Sequence, residues 1–487
     1  MWLIIKMLTC ISLFALLSCK VSLPHKAQLE HLRTVPGMGQ TIENSLKEEG
    51  IFSRGDWPNK DWWLAFGSPE LNTLIAEALA KNPSIQEVSS RVTVARQEAL
   101  ATRSLLFPLL FFDATETRQY LSKNGLYRAF NPKLRRNADL IDISLSFTYE
   151  FDFWGQNRNR LCEALGIEKA SEAEAAGIEL ITTTALVQAY FAYKTNFVRK
   201  QLYEQLVAVR QNIAQLQNLL LRKGLISNLP FLLAEENLLE AKKLLASINE
   251  ELSVDKHLIN ILAGRDPDCA IAINKTLPPL PPTLQIPKTL SIDLLARRPD
   301  LMAQIWRAKA LAYKTGAAMA EYYPNINIKG LIGLQSTHWK RLLEASSGTA
   351  AIIPAIHLPI FTAGAIRAHI NTAKAEFDTA IFAYNNLLLR STQEILDVLA
   401  FAQAIYQQKN EQAGIVNFAQ KRYDLVYLRH QKGLDNQFDI DYLKEELIQK
   451  KLINVSLMYN QYVAAVKLTK ALGGGYYQAE VPLVKRS

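Results

Sequence analysis

The chain has 487 residues, of which 49% are hydrophobic and 21% are charged, and its formal net charge is +9. This length allows two or three domains, and so few charges exclude an intrinsically disordered chain. The basic residues are scattered, which favours a solvated surface and predicts no nucleic-acid partner. After the N-terminus there is no run of about 18 apolar residues, so a membrane role would require a β-barrel.

Residues 1–18 have the layout of a secretory signal peptide, because a short basic start is followed by an apolar stretch. The stretch ends at Ser18 and Cys19, which resembles a bacterial lipoprotein cleavage site with Cys19 as the lipidated residue. Acyl chains contribute about 0.8 kcal/mol per buried CH₂, so three of them would anchor the chain firmly. Lys20 favours the outer membrane by the same resemblance. A plain signal peptide with an incidental cysteine is the alternative.

The rest of the chain is a tandem duplication. Three glycines recur at one offset of 209 residues, namely Gly155, Gly224 and Gly264 as Gly364, Gly433 and Gly473. Each copy predicts a helix that begins at a proline, then a β-hairpin, then two long helices joined by a tight turn at a glycine. The offset of an upstream pair, Pro108 and Pro324, is 216 residues, so the first copy carries a seven-residue insertion within its hairpin.

These patterns divide the chain into successive segments. We predict a lipoprotein signal peptide (1–18), a lipid-anchored extended segment (19–68), repeat 1 (69–277), a Pro-rich linker (278–290), repeat 2 (291–475) and a C-terminal tail (476–487). Within repeat 1 the β-hairpin is predicted at about 109–153 and the long helical hairpin at about 156–264. In repeat 2 they are predicted at about 325–361 and about 363–473.

Strict alternation marks the second strand of the first hairpin. From Ile141 to Phe153 every odd position is apolar or aromatic and every even position is polar. Thirteen alternating residues exceed a typical globular strand and cover the roughly 9–11 residues needed to cross a bilayer. The second copy alternates from Ile326 to Leu334 but carries two prolines between Ala351 and Phe361. An amphipathic hairpin outside the membrane is the alternative.

Four strands per chain cannot close a barrel, and lipid tolerates no open sheet edge. Strands that span the membrane therefore require several protomers to share one barrel. The long helices carry apolar residues at alternating spacings of three and four, which is the pattern of a coiled-coil seam. This pattern is carried by Leu202, Leu206, Val209, Ile213, Leu216 and Leu220 in the first copy and by Val416, Ala419, Tyr423 and Val426 in the second.

Several short motifs resemble those of the TolC-like outer-membrane factor family, in its NodT-type branch of efflux lipoproteins. They are Trp62–Phe66, Tyr149–Gly155, Arg297–Leu301, Pro359–Phe361 with Gly364, and Ala471–Gly475. The resemblance implies a mainly α protomer with four strands, which trimerises into a 12-stranded transmembrane β-barrel and an α-helical periplasmic tube. It also implies a periplasmic adaptor (membrane fusion) protein and an inner-membrane pump of the resistance-nodulation-division class as partners, with outer-membrane lipid around the barrel.

The resemblance also suggests where the periplasmic end closes. The family's gate motifs fall here on His430, Gly433, Asp439 and Tyr442, with further acids nearby, so the candidate gate residues are His430, Asp435, Asp439 and Asp441. A ring of three inward-facing acids would favour cations. For each acid, a helix-capping role is an equal alternative. The tips at Gly224 and Gly433 are the predicted adaptor contacts.

The remaining sequence patterns do not predict a catalytic or metal site. We find no catalytic motif, so the chain is predicted not to be an enzyme and to use no cofactor and no metal. A basic cluster could meet lipopolysaccharide phosphates or form a solvated loop, and it consists of Lys123, Arg128, Lys133, Arg135 and Arg136. The sequence predicts an outer-membrane efflux channel that conducts passively. The alternatives are the duct of a type I protein secretion system and a non-conducting periplasmic rod.

Overall fold

The computed structural model describes residues 33, 43, 51–133, 135–280, 283–288, 290, 294 and 297–478. These residues divide into two compact units. The first contains Thr93–Ala170 and Ile305–Ala383. The second contains Arg33–Val92, Ser171–Gln304 and the chain from Tyr384 onward. The predicted signal peptide and Cys19 lie outside the described residues.

The main helices repeat in length between the two copies of the duplication. They are α1 (Pro69–Lys81), α2 (Pro83–Arg103), α3 (Leu126–Phe130), α4 (Gln156–Arg222), α5 (Asn228–Leu262), α6 (Pro299–Ala320), α7 (Ala365–Gln431) and α8 (Gln437–Ala471). Helices α4 and α7 each have 67 residues, and α5 and α8 each have 35. At 1.5 Å per residue, α4 and α7 are each about 100 Å long.

The strands of the described residues are β1 (Phe52–Gly55), β2 (Leu109–Tyr120), β3 (Asn137–Phe151), β4 (Leu284–Pro287), β5 (Asn325–Ser336) and β6 (Gly348–His357). In the first unit, β2, β3, β5 and β6 pair antiparallel in that order. The hairpin of each copy therefore joins the hairpin of the other copy in one sheet, through the pairing of β3 with β5.

The register of this sheet confirms the predicted alternation. Leu145 of β3 lies opposite Phe112 of β2 and Ile332 of β5, so their side chains share one face. That face is apolar across the described strands, through Leu110, Phe112, Ile143, Leu145, Phe147, Ile328, Ile332, Ile352 and Ile356. The opposite face is mostly polar, and there the Ser146 hydroxyl donates to Asp113 at 3.1 Å and the Gln335 amide donates to Asp142 at 2.9 Å.

The composition of strand β6 explains why the sequence predicted it only weakly. It contains Pro354, which has no N–H to donate, and a strand tolerates proline at the edge of a sheet. Within the described residues β6 forms one edge of the sheet and β2 forms the other. Each edge carries backbone groups that no described strand pairs, a condition that lipid would not tolerate.

Aromatic side chains gather where the apolar face meets the helices of the first unit. Phe151 stacks on Phe153 with ring centroids 5.6 Å apart. Trp154 stacks on Tyr323 at 4.6 Å, and its indole N–H donates to the carbonyl oxygen of Pro324 at 2.8 Å. Tryptophan and tyrosine are common at the boundary between lipid and water in membrane barrels, so the cluster agrees in composition with that location.

Small residues bring the helices of the first unit close together. A Cβ at Gly166 of α4 would lie 2.9 Å from the Cβ of Ala310 in α6, so only glycine permits this approach. The Thr315 hydroxyl of α6 is within 3.2 Å of the carbonyl oxygen of Ala373 in α7. Ala318, Ile370 and Ala373 form the adjacent apolar cluster. These contacts fix the helices from which the strands emerge.

The second unit holds the predicted helical seam. Its core contains Leu202, Leu206, Val209, Ile213 and Ala214 of α4, Ala234, Leu238 and Ala241 of α5, and Ile448 and Val455 of α8. Helices of both copies therefore contribute to one core. A second apolar cluster stacks Phe191 on Tyr462 at 3.9 Å and places Phe66 4.9 Å from Phe191.

The segments predicted as an extended N-terminal stretch and a linker contain paired structure. Strand β1 pairs parallel with β4, so Phe52 lies opposite Leu284. Trp62–Phe66 forms a 3-10 turn that ends at Gly67 in the left-handed region. Four-residue strands with little alternation give no sequence signal of their own, because their pairing joins residues more than 200 positions apart.

One window of 18 residues in α4 is apolar enough to cross a membrane by length and composition, although the sequence had suggested no such segment. Within the structure, 44% of that window is buried against other parts of the protein. A helix with a buried stripe passes the same test, so this single window is weak evidence for a membrane-spanning helix.

Candidate functional site

The two helical turns of the second unit are built by glycine. Gly224 has φ +70° and Gly433 has φ +74°, a region that residues with a Cβ rarely adopt. At each turn a following leucine N–H bonds back into the last helical turn, Leu225 to the carbonyl of Leu220 at 3.0 Å and Leu434 to that of Arg429 at 3.0 Å. This pattern is that of a Schellman cap, so both turns end their helices by the predicted mechanism.

Exposed leucines surround the two turns. Leu225 and Leu229 flank the first turn, and Leu428 and Leu434 flank the second, and all four are exposed in the described structure. Leu225 and Leu434 are equivalent positions of the two copies, and exposed leucines that lie close together are typical of a surface that contacts a partner. The adaptor contact predicted at Gly224 and Gly433 stays a prediction, and the structure shows which side chains it would use.

Asp435, a candidate gate residue, is engaged locally. Arg429 donates to its two carboxylate oxygens at 2.8 Å and 3.0 Å. The Nδ1 atom of His430 donates to the backbone carbonyl oxygen of Asp435 at 2.8 Å. These contacts brace the second turn, so two of the four candidates shape the tip itself.

Asp439 has the capping role that the sequence left open. Asn436 accepts a hydrogen bond from the Asp439 N–H at 3.0 Å, and Asp439 accepts one from the Asn436 N–H at 3.1 Å. This reciprocal pair is a capping box at the start of α8. The first turn lacks a side-chain cap, since Ser227 makes no such bond.

Asp441 differs from the other three candidates because it is buried, with 4% of its surface exposed. Its Oδ2 atom has no hydrogen-bond partner among the described residues. Burial raises the pKa of the Asp441 carboxyl, and the hydrogen bond from Gln437 and the nearby charges of Lys444 and His430 oppose that shift. Ionisation of Asp441 would place a charge with an unsatisfied oxygen inside the protein. The packing of α8 therefore depends on whether this carboxyl is protonated.

A buried ion pair joins the two copies and was not predicted. Arg210 of α4 is 9% exposed, and its Nη2 and Nε atoms donate to Glu445 of α8 at 2.8 Å and 3.1 Å. A third donor, Nη1, bonds the carbonyl oxygen of Asn237 in α5 at 2.6 Å. The sequence signal was limited to a charge beside Val209 in the coiled-coil seam. A partner 235 positions away could not be inferred from it.

A second ion pair joins α7 to α8 within the second copy. Arg422 donates to Glu446 at 2.6 Å, and both side chains are considerably more exposed than those of Arg210 and Glu445. Glu445 therefore connects α8 to the helical hairpin of the first copy, and the adjacent Glu446 connects α8 to α7 within its own hairpin. Within the described stretches, no group of three or more His, Cys, Asp or Glu side chains is arranged to hold a metal ion.

Comparison with known proteins identifies a family with this architecture. The model of the outer membrane efflux protein family matches residues 74–258 and again residues 290–474, so each copy of the duplication matches separately. The multidrug resistance outer membrane protein MdtP of Escherichia coli is 27% identical over 454 residues, which cover 91% of this chain and 91% of MdtP.

Solved structures share the fold. The outer membrane protein VceC of Vibrio cholerae is 28% identical with a TM-score of 0.76, over 86% of this chain and all of VceC. The outer membrane channel CmeC of Campylobacter jejuni is 21% identical with a TM-score of 0.78, over 88% of this chain and 90% of CmeC. The predicted fold class is thereby confirmed as a mainly α, duplicated protomer with strands for a transmembrane barrel. The class is that of outer-membrane channel proteins and not of enzymes. The chain belongs to the outer membrane efflux protein family.

Proposed function

We propose that this chain is the outer-membrane duct of a tripartite efflux system and conducts substrates passively. The observation that carries the proposal is the continuous apolar face of a sheet whose two edge strands are paired on one side only among the described residues. An apolar face of this extent belongs in lipid, where each edge must find a strand. Three copies with four strands each would close a barrel of 12 strands, with the polar face lining its lumen.

The rest of the assembly follows from the same proposal. The exposed leucines around Gly224 and Gly433 form the contact with a periplasmic adaptor protein. An inner-membrane pump of the resistance-nodulation-division class supplies the energy, since nothing in a passive duct does so. Support for drugs as the substrate comes from relatives that are named multidrug resistance outer membrane proteins.

The test uses the purified full-length protein in detergent and in planar bilayers. We expect a mass of three chains and discrete ion-conducting steps. A stable single-chain species that passes no ions would contradict the proposal. A stable oligomer that passes no ions would instead support the non-conducting rod.

Drug efflux and type I protein secretion are separated by deleting the gene in its host. Efflux predicts greater accumulation of drugs in the cells and an unchanged set of secreted proteins. Loss of one secreted protein with unchanged drug accumulation would favour the secretion duct.

We further propose that the Arg210–Glu445 pair holds the helical hairpins of the two copies together in the described arrangement. Dilation of the tip requires the hairpins to shift against one another, and this pair crosses between them. Glu445→Gln removes the charge that neutralises a buried guanidinium, so it should weaken the closed packing. We expect a higher single-channel conductance or a greater open fraction.

Glu446→Gln is the matched control, because Glu446 bonds Arg422 within the second copy alone. Its conductance should resemble that of the wild type. If Glu445→Gln conducts like the wild type while Glu446→Gln opens the channel, the link between the two copies is not the restraint.

A further inference from the structure

The connection between β2 and β3 is unusually basic. Its sixteen residues, 121–136, include five Lys or Arg and no Asp or Glu. The equivalent connection between β5 and β6 has eleven residues, in which Glu344 partly offsets Lys340 and Arg341. The long connection accommodates part of the insertion in the first copy, and it concentrates positive charge at one end of the sheet.

The apolar face of the sheet gives way to charged side chains next to this connection. The apolar face reaches Ile141, and the next pair on that face is Arg118 of β2 opposite Asp139 of β3. The Arg118 Nε atom donates to Asp139 at 2.9 Å, and Trp339 donates to Glu116 at 3.4 Å on the same face. Charged pairs and a tryptophan directly above an apolar band mark the level of lipid headgroups. The helices leave the opposite end of the strands, so this end faces away from them.

One cation of the connection is held on the lipid-facing side. Tyr120 lies on the same face as Leu110 and Phe112, because all three occupy alternate positions of β2. The guanidinium of Arg136 lies over the Tyr120 ring, 4.1 Å from its centroid, and its Nε atom donates to the carbonyl of Leu121 at 3.3 Å. The ring and the carbonyl together direct this charge towards the headgroup layer.

The other described cations are available for a ligand. Lys123, Lys133 and Arg135 are exposed, and none has an acidic partner in the part of the chain that the structure describes. The nearby acids Glu116 and Asp139 are already engaged by Arg118 and Trp339. Unpaired cations above a membrane surface attract anionic lipid.

Apolar side chains accompany these cations. The short helix α3 exposes Leu126, Tyr127 and Phe130, and Phe130 is 83% exposed. Exposed aromatic and aliphatic side chains beside lysine and arginine are the composition of a segment that lies in a membrane interface. Three of them lie within the five residues of α3, so they form a cluster of exposed apolar side chains.

We propose that Lys123, Lys133, Arg135 and Arg136 bind the phosphates of lipopolysaccharide, with Leu126, Tyr127 and Phe130 in contact with its lipid part. The proposal rests on the proposed function, because that function puts this end of the sheet at the outer surface of the membrane. The cations recognise the phosphates, and the apolar side chains recognise the adjoining acyl chains. The connection between β5 and β6 has a smaller positive excess, because Glu344 pairs with Arg341 at 3.2 Å, and it contains 3-10 turns in place of the α-helix.

The test measures binding of two probes to the purified full-length protein by native mass spectrometry. The probes are bis-phosphorylated lipid A and the same lipid after removal of both phosphates. The wild type should retain the phosphorylated form more tightly. The variant K123Q/K133Q/R135Q changes only side chains without acidic partners, so it should fold normally and lose about one to two orders of magnitude in affinity for the phosphorylated form.

The matched control is K340Q/R341Q in the connection between β5 and β6, which should bind as the wild type does. Equal binding of both probes by the wild type would overturn the proposal, as would unchanged binding by the triple variant. Bilayer conductance separates this outcome from a failure of the proposed function. A triple variant that conducts normally but loses lipid A supports lipid recognition, whereas a wild type that fails to conduct contradicts the duct itself.

Discussion

At the scale of single residues, the four candidate gate positions have different physical roles. Asp439 caps a helix, and Asp435 and His430 brace a turn. Asp441 is buried, and one of its oxygens has no hydrogen-bond partner among the described residues. Sequence patterns place all four near the tip but do not distinguish a capping acid from a buried one. That distinction depends on the rotation of α8 against its neighbours.

Asp441 therefore yields a prediction about pH. Burial raises the pKa of its carboxyl above the ordinary value, so the folded protein binds this proton more tightly than the unfolded chain does. The stability associated with Asp441 is present at low pH and is lost as pH rises through the raised pKa. The wild-type thermal midpoint should therefore gain more than that of Asp441→Asn when the pH is lowered from neutral towards the ordinary aspartate pKa of about 3.9.

The comparison with Asp441→Asn isolates this carboxyl from the others that titrate in the same range. Asparagine keeps the shape and removes the charge, so this variant should also be the more stable of the two at neutral pH. Identical pH profiles for the two proteins would show that Asp441 is not the titrating group. The groups that face it are His430, Lys444, Gln437 and Tyr423, and none of them changes in the variant.

At the scale of elements, the glycines that end the long helices differ in their surroundings. A Cβ at Gly433 would meet nothing within 4 Å, although φ is +74°. A Cβ at Gly473, where φ is +88°, would overlap the carbonyl oxygen of Arg297. Gly433→Ala should therefore lower stability by about 1–2 kcal/mol through backbone strain alone. Gly473→Ala should prevent normal folding.

The measurement is the amount of each variant in the outer-membrane fraction together with its thermal midpoint. Gly433→Ala should accumulate with a modestly lower midpoint, and Gly473→Ala should fail to accumulate. Equal behaviour of the two variants would show that the contact with Arg297 does not matter. Gly224→Ala, with φ +70° and the same open space, should follow Gly433→Ala.

Strand β6 offers a test of which face of the sheet meets lipid. Ile352 and Ile353 are adjacent, chemically identical and both exposed, at 73% and 52%, but they point to opposite faces. Lysine on the lipid face near the middle of the bilayer is unfavourable by about 2–4 kcal/mol, whereas lysine in a polar lumen is tolerated. Ile352→Lys should sharply reduce the assembled protein in outer membranes, and Ile353→Lys should not.

Assembly is measured as the oligomer that survives mild detergent on gels of membrane fractions. If Ile353→Lys is the damaging substitution, the assignment of faces is reversed. If neither matters, the sheet does not lie in lipid at all.

Some strands and turns could be predicted from the sequence, and others could not. The alternation of β3 and the glycines of both turns are local patterns, and the structure places them as predicted. Strand β6 gave a weak signal because Pro354 interrupts its pattern, and its pairing with β5 identifies it as a strand. The pairing of β1 with β4 and the Arg210–Glu445 bond connect distant parts of the chain, so no local pattern could reveal them.

At the scale of the whole molecule, two independent attachments to the membrane are proposed. One is the apolar face of the sheet, and the other is the lipid on Cys19, which lies outside the described residues. Cys19→Ser should abolish incorporation of labelled palmitate while the purified protein still conducts in bilayers. The reason is that the barrel has its own large apolar surface.

Label incorporated into the Cys19→Ser variant would show that the acylated residue lies elsewhere. Loss of conductance by the unlabelled, correctly processed variant would show that the lipid takes part in forming the channel. A wild-type protein that incorporates no label would leave the signal sequence as an ordinary secretion signal.

The matched helix lengths of the two copies restrict how this protein can change during evolution. Because α4 equals α7 and α5 equals α8 in residue count, an insertion in one hairpin alone would displace its turn by about 1.5 Å per added residue. It would also separate Arg210 from Glu445, which lie on different copies. A homologue with longer helices should therefore carry matching insertions in all four of them. Each insertion should be a whole number of seven-residue repeats, so that every seam residue still faces the core between the helices.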